Sequence, residues 1–238
     1  MNIVHIVHPS AFMVETRMVR PVSALDVQIR QEASYEFLTR ELRYHINQRY
    51  SLEYSKRIRL RSLRDGLDMF IDKIAWTGGE AGLPECAGDH DCTVRPMATA
   101  QALWDYFQVR LGRPLRLGEE VELSLRWPQI SNWSNAKPFA STTTHEPIHH
   151  IRFDIRIPSA ARHGDHASLE VLRAPDSANP LMREQRTFDE DGHLVWDIAQ
   201  PEQDRHYRVT WTWHPIIAAS RSQMSANLMP REISVGGR

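Results

Sequence analysis

The sequence predicts an α+β protein, with a mainly helical N-terminal half and a short N-terminal hairpin, followed by an antiparallel β-sandwich of about six strands. Before residue 114 the apolar residues recur at helical spacing, whereas after Gly118 they alternate with polar residues. At 41% hydrophobic and 25% charged residues, the composition is typical of a globular protein. We therefore divide the 238 residues into a mixed, mainly helical basic region (1–114), a sandwich (115–215) and an irregular tail (216–238).

The N-terminal half begins with two short segments rich in Val, Ile and Met, NIVHIV and FMVETRMV, which flank Pro9-Ser10 and are typical of a hairpin. A first helix is predicted from about Ser34 to Tyr50, because apolar side chains recur there every three or four residues.

Two further helices are predicted before residue 114. The second begins at Ser62, which with Asp65 resembles an N-cap followed by an acid at N3. The third begins near Pro96 and ends at Gly112, which occupies the position of a C-cap glycine.

The second half reads as strands with one buried and one solvated face. The segments EVELSLRW, IRFDIRIP and HYRVTWTW alternate strictly, and shorter strands are expected at 169–172, 183–188 and 194–198. Asp191-Gly192, between the last two, indicates a hairpin turn. The absence of intervening helical segments favours an antiparallel sandwich.

A basic segment, RYSLEYSKRIRLRSLR at residues 49–64, concentrates positive charge in a protein whose formal net charge is −1. As a strand it places Lys56, Ile58 and Leu60 on one face and the arginines on the other; as a helix it also aligns arginines. Arginine forks match phosphate oxygens, and tyrosine rings stack on bases. The predicted nucleic-acid contacts are Arg40, Arg43, Arg49, Lys56, Arg57, Arg59, Arg61, Arg64, Tyr50 and Tyr54.

Acidic residues concentrate elsewhere, between Asp176 and Asp204. This asymmetry predicts one face for a polyanion and another for a protein partner. The same pattern also leaves open that the basic segment is a solvated face, or that its arginines pair with this acidic segment.

A candidate zinc site lies in PECAGDHDC, where Cys86, His90 and Cys92 offer thiolate and imidazole ligands within seven residues. The C-x3-H-x-C spacing is not that of a zinc ribbon, and no fourth ligand is nearby. A polar loop with two unrelated thiols and a local disulfide are the alternatives.

The segment HEPIHH, residues 145–150, matches the letters H-E-x-x-H of zinc metallopeptidases. That motif needs a helix to bring both histidines to one ion, and Pro147 together with the strand that follows argues against one. The histidine clusters nevertheless leave a metal-dependent hydrolase as one alternative function.

Trp133 lies in a long polar segment, SNWSN, where no periodicity predicts burial. An exposed tryptophan is a good anchor for a protein partner or a stacked base. The alternative is that it covers one end of the sandwich.

Several function classes lack their motifs: the sequence contains no GxxxxGK[ST], no GxGxxG after a strand and no GxSxG. No apolar run approaches a membrane span, and no secretory signal is evident, so a cytoplasmic location is expected. We therefore expect a non-catalytic nucleic-acid-binding subunit of a larger assembly, DNA or RNA, without a cofactor unless zinc is bound. A protein-interaction or adaptor module built on the sandwich is the first alternative.

Overall fold

The computed structural model describes residues 34–47, 52–75, 80–88, 91–97, 104–128, 130–131, 139–159, 164–175 and 177–212. These residues form fifteen strands and no α-helix. The strands are β1 (Tyr35–Ile46), β2 (Leu52–Ser62), β3 (Leu67–Ile74), β4 (Glu80–Ala81), β5 (Glu85–Gly88), β6 (Cys92–Pro96), β7 (Asp105–Leu115), β8 (Glu120–Trp127), β9 (Ile130–Ser131), β10 (Phe139–Thr143), β11 (His150–Arg156), β12 (His166–Leu172), β13 (Met182–Thr187), β14 (His193–Ala199) and β15 (His206–Thr210).

The main layer is a six-stranded sheet in the order β14-β11-β1-β2-β8-β5. All neighbours in it are antiparallel except β1 and β11, which run parallel. A four-stranded sheet (β10-β15-β12-β13) and a three-stranded sheet (β3-β7-β6) form the facing layer, and β4 and β9 form a small separate pair.

One apolar core joins the layers, and it draws inward-facing side chains from strands on both sides of residue 114. The ring of Phe37 on β1 packs edge-on against Phe70 on β3, with centroids 6.1 Å apart. On β8, Trp127 meets Phe107 of β7 at 5.8 Å. Alternation along each strand therefore buries one face against the other layer and leaves the other face outside.

The facing layer is split, because β3 and β10 are edge strands of separate sheets. Arg40 of β1 bridges the split from inside, donating to the Thr143 carbonyl of β10 at 3.2 Å while lying 3.8 Å from Asp72 of β3. On the outer side the Trp104 ring, just before β7, packs against His206 of β15. We call this boundary between β3 and β10 the seam.

The two lateral margins of the sandwich are closed by different means. At one margin a disulfide joins Cys86 on β5 to Cys92 on β6, the edge strands of the two layers. At the other, Arg186 on β13 donates to the Val195 carbonyl on β14 at 3.0 Å and lies over the Trp196 ring. Both margins thus connect the main sheet to the facing layer.

Removing the disulfide by a Cys86→Ser plus Cys92→Ser double substitution is expected to lower the free energy of unfolding by about 2 kcal/mol, because the cross-link spans a short loop. Urea denaturation of the oxidised wild type and the variant measures the difference. Adding dithiothreitol should lower the wild-type midpoint to that of the variant and leave the variant unchanged; equal midpoints without reductant would contradict the prediction.

The predicted helical character of the N-terminal half is wrong. The segments assigned to the three helices contain strands β1, β3 and β7 instead. In β1 the inward positions include Arg40, and in β3 they include Asp72, so charged residues interrupt the apolar alternation that identifies a strand. Gly112, expected to end a helix, lies within β7, where its N–H donates to the Asp91 carbonyl.

The strands predicted after Gly118 are confirmed as β8, β11, β12, β13, β14 and β15. The Asp191-Gly192 turn is present, but the predicted hairpin is wrong because β13 pairs with β12 and β14 pairs with β11. The chain therefore crosses from one layer to the other at this turn. The predicted N-terminal hairpin and the tail from residue 216 lie outside the described residues.

Candidate interaction face and buried ion cluster

Three charged side chains meet inside the sandwich at the seam: Arg40, Lys56 and Asp72, each only 2% exposed. The Lys56 Nζ donates to Asp72 Oδ2 at 2.9 Å and to the Lys73 carbonyl at 2.5 Å. The Arg40 Nη1 donates to the Thr142 hydroxyl at 3.0 Å as well as to β10 backbone. The two cations therefore satisfy polar groups on the facing strand edges, which have no ladder partner among the described residues.

Burial and mutual attraction compete in this cluster. Burial alone would raise the pKa of Asp72, but Lys56 and Arg40 outweigh it and hold that pKa below its ordinary value. Burial lowers the pKa of Lys56, although Asp72 acts in the opposite direction. Asp72 is thus a carboxylate kept ionised by two buried cations.

The arginines of β2 point away from this cluster, onto the outer face of the six-stranded sheet. Arg57 Nε donates to Glu122 at 2.7 Å, and Arg59 Nη2 donates to Glu120 at 2.6 Å. Arg61 links Glu120 at 2.8 Å to Glu36 at 2.9 Å. The pairs join β2 to β8 on one side and to β1 on the other, so this arginine row is paired with carboxylates of neighbouring strands.

Histidines extend the pairing toward the other end of the same face. Asp154 Oδ1 lies 3.0 Å from His45 Nε2 and 2.8 Å from His193 Nε2. Burial would raise the pKa of Asp154, but these two hydrogen bonds hold it well below its usual range. Arg43 Nε bonds Glu41 at 3.0 Å and lies 3.8 Å from Asp154 Oδ2.

We call this outer surface of the six-stranded sheet the charged face. By alternation along β1, β2, β5, β8, β11 and β14, its arginines and its carboxylates are nearly equal in number. The arginines are Arg43, Arg57, Arg59, Arg61, Arg126, Arg152 and Arg156, and the acids are Glu36, Glu41, Glu53, Glu85, Glu120, Glu122, Asp154 and Asp197. The face carries little net charge, unlike a surface selected for a polyanion.

The predicted nucleic-acid contacts do not form one surface. Arg40, Lys56 and Tyr54 are buried in the core, where they cannot reach phosphates or bases. Arg43, Arg57, Arg59 and Arg61 lie on the charged face in ion pairs, and Arg64 is exposed in the turn after β2. Arg49 and Tyr50, like the predicted partner anchor Trp133, lie outside the described residues.

The carboxylates that pair with the arginine row were not anticipated. Those that bond Arg57, Arg59 and Arg61 come from β1 and β8 and not from the acidic segment at 176–204. The alternation of EVELSLRW already places Glu120 and Glu122 on one solvated face. What the sequence could not supply is that β8 lies beside β2.

The predicted zinc ligands Cys86 and Cys92 are bonded to each other, as in the local-disulfide alternative. A disulfide sulfur is not a thiolate ligand, so zinc binding at Cys86, His90 and Cys92 stays a prediction for the reduced chain. His90 lies outside the described residues. Among the residues that are described, no group of three or more His, Cys, Asp or Glu could hold a metal ion.

The histidines of HEPIHH do not converge, since this segment forms no helix. His145 lies 3.4 Å from Asp204, His149 lies 2.8 Å from Glu36, and His150 lies 3.3 Å from Asp197. The glutamate, Glu146, is buried. The letters of the metallopeptidase motif are therefore present without the helix that gives them their chemistry.

No protein-family model matches the chain, and no curated protein matches it. Solved structures give distant matches. An M1 zinc metallopeptidase from Deinococcus radiodurans has a TM-score of 0.38 at 14% identity, over 74% of this chain and 42% of that one. A putative protease from Parabacteroides distasonis has a TM-score of 0.37 at 11% identity, over 75% and 41%.

This chain thus spans less than half the length of the structures it matches. A likeness this weak gives no argument about function. The described residues also contain no helix long and apolar enough to cross a membrane.

Proposed function

We propose that this chain is a non-catalytic protein-interaction module that binds its partner through the charged face. The observation that carries the proposal is the cross-strand pairing of arginines with carboxylates over that face, from Arg57–Glu122 on β2 and β8 to Arg152–Asp197 on β11 and β14. A broad surface of alternating charge complements another protein surface with the opposite pattern.

Two physical arguments favour a protein over a nucleic acid. A polyanion gains affinity by neutralising phosphates with unpaired cations, and here it would have to displace Glu120 and Glu122 from the arginines. A protein partner can instead keep these pairs and add its own charges to them. Side chains already held by ion pairs also lose less conformational freedom on binding.

The proposal also accounts for the arginine-rich sequence of β2. Its inward positions supply core residues and Lys56, while its outward positions need long side chains that reach carboxylates on both neighbouring strands. Arginine suits this place because its planar fork bonds two acceptors, as Arg61 bonds Glu120 and Glu36.

The predicted cytoplasmic location stays a prediction, although disulfides persist mainly in oxidising compartments.

A charge swap tests the proposal. The double variant Arg57→Glu plus Glu122→Arg keeps an ion pair but reverses its direction at the centre of the charged face. Because it places like charges opposite Glu41 and Arg59, circular dichroism first checks that the variant is folded. The matched control swaps Glu202 and Arg205, an ion pair in the loop before β15 and outside the charged face. Proteins retained by the immobilised wild type are identified, purified and titrated by calorimetry against wild type, control and swap.

We expect the purified partner to bind wild type and control alike and to bind the charge swap at least roughly tenfold more weakly. A partner that binds all three equally would overturn the assignment to this face.

Labelled single-stranded RNA, single-stranded DNA and duplex DNA are titrated in parallel at about 50 mM and about 200 mM salt. Salt-steep binding that Arg57→Ala plus Arg61→Ala abolishes would restore the nucleic-acid function and reject the proposal.

A further inference from the structure

Three polar side chains on the outer side of the seam are buried without a hydrogen-bond partner. They are Ser141 and Thr143 of β10 and His206 of β15, at 8%, 2% and 3% exposure. The unpartnered atoms are both hydroxyl oxygens and the His206 Nδ1. Burying such groups without partners costs roughly 1–3 kcal/mol each, so three together call for an explanation.

The three side chains share one face of one strand pair. Thr143 lies directly opposite His206 in the β10–β15 ladder, and Ser141 lies opposite Arg208, one row further along. Their neighbours Ala140 and Thr142 point inward, to the core and to Arg40 respectively. Cβ atoms of directly opposed residues are about 5 Å apart, so Thr143 and His206 are neighbours and Ser141 lies one row away in the same small patch.

The charges around this group are positive. Burial, followed by Arg208, Lys73 and His145, lowers the pKa of His206 to about 3, so its ring is neutral at physiological pH. Lys73 lies across the seam with its Nζ 5.1 Å from the centroid of the Trp104 ring, and the same ring lies 5.7 Å from the His206 ring. Glu170, the nearby acid, is bonded to both Arg183 and Arg208.

We propose that the outer side of the seam is a binding site for a small carboxylate, with Ser141, Thr143 and His206 as its hydrogen-bond donors and Trp104 as one wall. Two hydroxyls and a neutral imidazole protonated on Nδ1 can all donate. A carboxylate accepts only, has two oxygens to share among these donors and is favoured by the surrounding cations. Water would satisfy the same atoms but would gain nothing from the positive charge.

The site is independent of the charged face, because β10 and β15 belong to the facing layer. Failure of this proposal therefore leaves the proposed protein-interaction function untouched, and the reverse also holds. Binding at this site should raise the free energy of unfolding, because a bound anion would contact β10 and attract Lys73 of β3 across the split layer.

Thermal denaturation in sodium acetate, with sodium chloride at equal ionic strength as reference, tests the proposal. Acetate should raise the wild-type melting temperature above the chloride value in a saturable way. The variant Thr143→Val should melt at or above the wild type in chloride, because it removes an unpartnered hydroxyl, and should lose most of the acetate response. Thr210→Val, on the same face of β15 two rows away, is the matched control and should respond like the wild type.

A second readout keeps the test specific to the site. Acetate should shift the NMR signals of the His206 ring in the wild type and in Thr210→Val, and much less in Thr143→Val. The proposal is overturned if acetate has no effect beyond chloride, or if Thr143→Val responds as strongly as the wild type. It is equally overturned if the melting temperature rises while the His206 signals stay in place.

Discussion

Replacing Asp72 with asparagine is expected to lower the free energy of unfolding by about 3–5 kcal/mol, the usual cost of removing one partner from a buried ion pair. The substitution leaves Lys56 and Arg40 inside the core without the carboxylate that both face. Neither cation can turn to solvent, because both are only 2% exposed. Urea denaturation at neutral pH measures the loss.

A double-mutant cycle separates the ion pair from simple packing. Lys56→Met alone is also expected to destabilise, but Lys56→Met combined with Asp72→Asn should cost clearly less than the two single losses added together. Additive losses would show that the pair contributes no coupling. If Asp72→Asn does not fold, its loss is at least the whole stability of the wild type, and a folded double variant then gives a lower limit for the coupling.

The same carboxylate predicts a pH dependence. Because the folded-state pKa of Asp72 lies below its unfolded value of 3.8, its contribution is present above about pH 4 and is lost as the pH falls toward the folded pKa. The stability gap between wild type and Asp72→Asn should therefore narrow in acid. A gap that is constant from pH 7 to pH 3 would exclude this linkage.

Gly192→Ala is expected to destabilise the protein by roughly 3 kcal/mol, by adding a backbone clash to an unfavourable dihedral angle. Gly192 has a φ of +73°, and a Cβ added there would overlap the Ile157 carbonyl oxygen. Ile157 directly follows β11, and its backbone is held against the turn because its N–H donates to the Gly192 carbonyl. The turn leads into β14, the edge strand of the main sheet, so displacing the turn would disturb the pairing of β14 with β11.

Gly66→Ala is the matched control for this substitution. Gly66 has a similar φ of +79°, but a Cβ there would meet nothing within 4 Å. It should therefore show only the dihedral cost, about 1 kcal/mol. Chemical denaturation of both variants measures the difference, and equal losses would show that the Ile157 contact does not matter.

The sequence predicted strands well where every inward position is apolar, as in β8 with Val121, Leu123, Leu125 and Trp127. It failed in β1 and β3, where the core itself holds charge, and in β7, where Tyr106 and Phe107 are both buried and interrupt the alternation. With Arg40 inward in β1, the remaining apolar residues mimic helical spacing, and the same holds for Asp72 in β3. The charges in the core thus explain the incorrect helix predictions for β1 and β3.

Some features of the candidate sites could be predicted from the sequence, and others could not. Glu120 and Glu122 fall on one solvated face by alternation, but their position beside Arg57 and Arg59 depends on strands about sixty residues apart in the chain. Ser141 and Thr143 gave no signal, because FASTTT has neither an apolar alternation nor a ligand spacing. Their significance comes only from what surrounds them in the folded chain.

The closure of both flanks bears on how the protein behaves when crowded. Unpaired rims of β-sheets invite foreign strands, and natural proteins blunt them to avoid association. Here a disulfide lies at one edge, and the guanidinium of Arg186 lies at the other. Only the disulfide is sensitive to thiols. Concentrated protein kept in reductant should therefore begin to self-associate along the β5 edge.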